Sequence, residues 1–305
     1  MDRRLGLIAA LLLVGATPAW SQSPAAADPD QDAPASTVED VIVVEGRLEA
    51  LARSYVDSVA EPPRGRGLAR WIGPVCVGVV NFRRPVAEYI ADRILQLGEE
   101  LGVPAQGEGC DPNVFIIGAD QARDVAAEWV RLRPRDFRPE CLTRAVPPRS
   151  ALARFTSSDD AVRWWQVSEP QYFDIWTGRA AAICGPNAAP IRVYAKSQVE
   201  GRIRDSLSRV VVIVDVDRLE GKTIEQISAY LALISFAQID PEADTAEFDT
   251  ILNLFDRPSA PPGLTDWDRA YLNAMYAART DARLNGVQQA EGLVATLRTA
   301  EGPSE

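Results

Sequence analysis

Apolar positions gather into one long run near the middle of the chain and into helical stripes on either side of it. The run spans Arg209 to Asp240, RVVVIVDVDRLEGKTIEQISAYLALISFAQID. Nearly continuous β-branched residues from Val210 to Val216 predict a strand covered on both faces, because a half-exposed strand would alternate with polar residues. Thr223, with Gln226 three residues on, predicts a capped helix start in which hydroxyl and amide satisfy each other's backbone N–H groups. Ile224, Ile227, Leu231 and Ile234 then recur at helical spacing, and Tyr230, Leu233 and Phe236 fill the flank. A helix apolar all round belongs inside something.

Upstream, Asp40–Gly46 (DVIVVEG) predicts a short strand, and Leu48, Leu51, Tyr55 and Val59 mark an amphipathic helix over Arg47–Val59 that ends before Pro62 and Pro63. The loop carrying Arg64, Arg66 and Arg70 reads as a solvated loop, with an anion cradle as the sharper alternative. Val75–Phe82 predicts a strand, Val86, Ile90, Ile94, Leu97 and Leu101 a helix, Asn113–Gly118 a second strand and Gln121–Leu132 a second helix. That order implies adjacent parallel strands joined by a right-handed crossover. Residues 133–160, rich in Pro, Arg, Ser and Asp, read as an irregular excursion before a short strand at Val162–Val167. Ile191–Tyr194 is a further possible strand. After Ile251–Phe255 and a proline-rich turn, Thr265 with Asp268 predicts a second capped helix burying Tyr271, Leu272, Met275 and Tyr276. A last helix runs over Leu284–Leu297.

Composition narrows this to an exported globular protein. The chain has 305 residues, 47% hydrophobic, with a formal net charge of −11 and a pI near 4.7. That acidity argues against nucleic-acid binding, which needs a basic surface. Arg3 and Arg4, the apolar run Leu5–Val14, and the small residues Ala19 and Ser21 form a secretory leader that predicts a mature start at Gln22. The expected organisation is therefore a signal peptide over 1–21, a disordered linker over 22–38, a strand and helix over 39–70, the main α+β domain over 71–298 and a tail over 299–305. No later stretch is long enough to span a bilayer, so the expected location is the periplasm or the exterior.

Four cysteines in an exported chain predict two disulfides. Cys76 enters the first βαβ strand and Cys110 precedes the second, which places them at one sheet edge and pairs them, leaving Cys141 with Cys184. The histidine count is zero, which removes Ser-His-Asp triads, Cys-His dyads and every imidazole metal site. No GxSxG elbow, P-loop or GxGxxG follows a strand, so no metal or cofactor is expected. Asp215 and Asp217, two apart near the end of the central strand, are the weak catalytic candidates: on one strand face they would form an acid and base pair or gather a hard cation. Trp164, Trp165, Tyr172 and Trp176 suggest either core or a sugar- or peptide-stacking surface.

The phrases VVVIVDVDRLEGKTIEQISAYLALISFAQ, NLFD and LTDWDRAYLNAMY resemble a group of exported Gram-negative bacterial proteins of unknown function, which look like degenerate relatives of zincin-fold zinc metallopeptidases. The resemblance implies an α+β fold, a mixed sheet with a parallel βαβ start and the central helix beneath it. In zincins that helix carries HExxH, two imidazoles one turn apart on zinc and a glutamate that activates water. The matching positions, Ala229, Tyr230 and Leu233, supply neither ligand nor base. The resemblance therefore implies an inactive module that binds a protein, peptide or glycan, with a hydrolase using Asp215 and Asp217, or an aromatic binding patch, as alternatives.

Overall fold

A computed structural model describes residues 38–62, 66–107, 109–139, 142, 148–174, 179–182, 203–277 and 285–300. The chain divides into two compact units after residue 42. Of the first, only the helical backbone of 38–42 is described; everything that follows concerns the second.

Helix α1 spans Val38–Val59. The strand expected at Asp40–Gly46 is thus a correction: those residues continue the helix. A short apolar run is ambiguous by periodicity, and the helix penalty of β-branched residues, a few tenths of a kcal/mol each, is small beside the gain from extending an existing helix.

The sheet has five strands in the order β1-β2-β5-β3-β4. β1 (Val77–Val80), β2 (Val114–Ala119) and β5 (Ile203–Asp215) are parallel, as the βαβ pattern predicted. β3 (Val162–Asp174) runs antiparallel to β5, and β4 (Arg179–Ala182) antiparallel to the end of β3. β3 is twice as long as its sequence pattern suggested, because a register shift at Val167/Ser168 breaks the alternation and lets pairing resume beyond it. Helix α2 (Arg84–Glu100) forms the crossover between β1 and β2. α3 (Ala122–Leu132), α4 (Pro134–Phe137) and α5 (Arg149–Ser157) cover the opposite sheet face, so part of the expected excursion is helical.

Both faces of β5 are covered. Val210, Val212 and Val214 enter the larger core with Val114, Ile116 and Trp164; Val211 and Ile213 enter the smaller one with Trp165, Phe137 and Phe155. After a 3-10 turn at Val216–Leu219 comes the central helix α6 (Ile224–Phe236), whose Thr223–Gln226 capping box is present as predicted. Every α6 residue from Tyr230 to Phe236 is buried. α2 approaches α6 so closely at Gly98 that a Cβ there would stand 2.8 Å from the Phe236 ring, which accounts for a glycine inside a helix.

Helix α7 (Asp266–Ala277) starts at the predicted Thr265–Asp268 box: Thr265 N donates to Asp268 Oδ2 at 2.9 Å and Asp268 N to Thr265 Oγ1 at 3.2 Å. Asp268 is fully buried and also accepts from Ile251 N, Thr250 Oγ1 and Tyr55 Oη, so one carboxylate ties α7 to α1 and to the 250–251 turn. Burial holds its carboxyl above the usual range, against the pull of those donors. Helix α8 (Gly286–Ala300) packs on α7.

Cys76 and Cys110 are bonded, tying the entrance of β1 to the loop before β2. Cross-linking residues 34 apart restrains the unfolded chain by about 3–4 kcal/mol. Cys141, Cys184 and Ile191–Tyr194 lie outside the described residues, so the second bridge of the expected pair is not described. The arginine loop is neither solvated nor an anion cradle: Arg66 pairs with Asp205, whose Oδ2 also accepts from Gly67 N at 2.7 Å, and Arg70 is buried. Arg64 lies outside the described residues. No described helix is long and apolar enough to cross a membrane.

Candidate functional site

The two carboxylates singled out in the sequence do not share a strand face. Asp215 is the last residue of β5, and Asp217 sits in the following 3-10 turn, where the two-residue alternation of a strand no longer holds. Asp217 is exposed, while Asp215 is partly buried with Arg218 Nε 3.5 Å from its Oδ2. The carboxyl ends of the parallel strands do open onto a shallow cleft of about 420 Å³, the place where α/β sheets commonly take ligands. Its walls are Asn81, Gly118, Ala119, Asp120, Gln121 and Val216; neither Asp215 nor Asp217 lines it.

Nor do the aromatic residues form a shared surface. Trp164 and Trp165 are successive residues of β3, so they point to opposite sheet faces, one into each core. Both are buried, and their indole N–H groups donate to Ile239 O and Phe137 O. Tyr172 is half-buried further along the strand, and Trp176 lies outside the described residues.

The three α6 positions matched to a metal-binding motif differ in environment. Leu233 is fully buried. Tyr230 is wedged between Trp164 and Phe255, ring centroids 6.0 and 5.3 Å away in edge-to-face geometry. Ala229 is half-buried and faces a groove between α6 and α2. Among the described residues no group of three or more His, Cys, Asp or Glu side chains is placed to hold a metal ion.

Two regions that the sequence did not announce flank α6. At its C-terminal end, Gln166 of β3 donates to Ile234 O and Ala237 O, both at 2.5 Å, and accepts from Ile239 N at 3.2 Å. Trp71 Nε1 donates to Ser235 O at 2.7 Å. Carbonyls that a helix end leaves without partners are thereby met by side chains from β3 and from the segment before β1. Beside this seal, at the edge of β3, lies a small cavity of about 30 Å³ lined by Glu61, Arg154, Asp160, Arg163 and Gln166. It has room for about two waters and no organic ligand. Arg163 is 3% exposed; its Nε has no hydrogen-bond partner among the described residues, and its Nη atoms reach only Phe155 O and Asp160 O, at 3.3 and 3.5 Å. Burial lowers the pKa of its guanidinium, as expected of a cation held out of water. Burial first, then neighbouring Asp240, raises Glu61 to about 7 against the pull of Arg154.

Along the N-terminal half of α6 runs the second region, an open groove of about 280 Å³. Leu97 of α2, Ala229 and Ala232 of α6 and Leu264 line it, and Arg93, Glu100, Glu225 and Arg269 stand at its rim. In its floor, Ser228 is 1% exposed and its hydroxyl has no partner among the described residues. This groove is the candidate site. A helical run of Ser and Ala beside larger residues was its only trace in the sequence, and such a run says nothing without a neighbour to show which face it turns outward.

No family model, no curated protein and no solved structure matches this chain.

Proposed function

We propose that this chain is an exported binding module on a zincin-like scaffold, resident in the periplasm or outside the cell, that does not hydrolyse peptides. One observation carries the reading: at the α6 positions where a zincin holds zinc and its water, Tyr230 fills the space between Trp164 and Phe255 with ring, and Leu233 is core. Without a histidine anywhere, the chain has no imidazole with which to rebuild that ligand set in another register. The Cys76–Cys110 bridge suits an oxidising compartment, and the partner expected is a protein, peptide or glycan.

The placement of Asp215 and Asp217 gives no support to a carboxylate hydrolase, and the burial of Trp164 and Trp165 gives none to an aromatic stacking surface. Metal analysis of the purified chain, paired with a fluorogenic peptide-cleavage assay, tests the reading. The expected outcome is substoichiometric zinc and no turnover; one zinc per chain, or cleavage abolished by a chelator, would overturn it.

A further inference from the structure

Ser228 and Ser235 stand two turns apart on α6, and their hydroxyls fare differently. Ser235 Oγ donates to Leu231 O at 2.6 Å, the usual solution for a serine inside a helix. Ser228 makes no such bond, although it is as deeply buried, and it lines the α2–α6 groove. A buried hydroxyl without a partner is unfavourable, so a groove built around one is suited to a ligand that supplies the missing bond.

The rest of the groove says what kind of ligand. α2 contributes Arg93, Leu97 and Glu100, and α6 contributes Glu225, Ser228, Ala229 and Ala232, each set recurring at the spacing that puts residues on one helix face. Small α6 residues leave the space open, since a longer side chain at Ala229 or Ala232 would occupy it. Charge is placed at both ends. Arg93 and Glu225 are electrostatically coupled at one end. At the other, Arg269 Nη1 lies 3.2 Å from Glu100 Oε2. Seven residues of α2 separate Arg93 from Glu100, a rise of about 10 Å. Each end thus offers one cation and one anion, both exposed and able to exchange partners at little cost.

We infer that the groove takes a free peptide of two or three residues, held by its ammonium at one Arg–Glu couple and its carboxylate at the other. A backbone amide of the peptide meets Ser228 Oγ, and its side chains lie on Leu97, Ala229, Ala232 and Leu264. The length follows from the span, because an extended chain covers about 3.3–3.6 Å per residue. The inference rests on the reading of the chain as a binding module and adds the class of ligand.

Titration calorimetry of the full mature chain with alanyl-leucyl-alanine, its N-acetylated form and its C-terminal amide tests it. The free tripeptide is expected to bind, and capping either end to weaken binding by about tenfold or more, the loss of a charge-assisted contact. Arg269→Met and Arg93→Met should each do the same. Ser228→Ala should weaken binding by about fivefold without lowering the melting temperature, and Ala232→Leu should abolish it. Because the capped peptides are tested on the unaltered chain, the result does not depend on any variant folding. No binding by the folded chain, or equal binding of capped and free peptides, would overturn the inference. Mass analysis of the titrated peptide separates the two readings: a cleaved peptide defeats the non-hydrolytic function alone, and an intact, unbound one defeats the ligand class alone.

Discussion

The two ends of α6 are made of similar residues and put to opposite uses. At the C-terminal end every polar group has been given a partner: Gln166 and Trp71 meet the carbonyls of the last turns, and Ser235 bonds back to Leu231 O. Toward the N-terminal end the helix is capped at Thr223 but leaves Ser228 unmet beside an open groove. Burial is equal at the two serines, so burial does not tell a structural site from a binding one. The hydrogen-bond ledger does, because buried polar groups in native proteins are nearly always paired and an exception calls for an explanation.

The largest expected effect is at the sealed end. Gln166→Leu would strand two carbonyls and the Ile239 N–H in the interior and should cost about 3–5 kcal/mol, measured by chemical denaturation. If it costs less than about 1 kcal/mol, water replaces the amide and the seal is not structural.

Glu61 lies at the same end, its backbone N–H 3.4 Å from Gln238 O. Its folded pKa of about 7 is above the model value of 4.5, so between those values the folded chain keeps a proton that the unfolded chain has released. Stability therefore falls as pH rises from about 4.5 to about 7, by up to about 3 kcal/mol for this group. Asp240, raised by burial against Arg154, adds to the fall in the same direction. Glu61→Gln should flatten most of that slope in melting temperatures taken across the range; an unchanged slope would assign it to Asp240 or elsewhere.

The two serines give the smallest effects and the sharpest contrast. Ser235→Ala removes a made hydrogen bond and should cost about 1 kcal/mol. Ser228→Ala removes an unmade one and should be neutral or stabilising by about 0.5 kcal/mol, since no buried hydroxyl is left wanting. Equal destabilisation by both, in urea titrations of the ligand-free chain, would erase the distinction between the two ends.

Much of the fold was legible because it rests on short-range rules. The α6 capping box, the Thr265–Asp268 box, the parallel start of the sheet and the Cys76–Cys110 pairing each follow from residues a few positions apart or from the order of elements. The failures have local causes as well. Val41–Val44 is too short an apolar run to tell strand from helix, and the β3 register shift hides half of that strand from a search for alternation. Asp215 and Asp217 looked like a pair only while the strand was taken to continue past Asp215.

The candidate site lay almost wholly outside what such rules reach. Gln166 is an ordinary glutamine in a strand until α6 ends beside it, and Arg93 and Arg269 are surface arginines 176 positions apart until α2 and α7 bring them to one groove. The sequence by itself determined which segments had to be buried, how the helices begin, and that no imidazole chemistry is possible. Only the tertiary structure decided which buried polar groups are met and which are left facing a groove, because a hydrogen bond depends on what another element places within about 3 Å, and no periodicity along one segment encodes that.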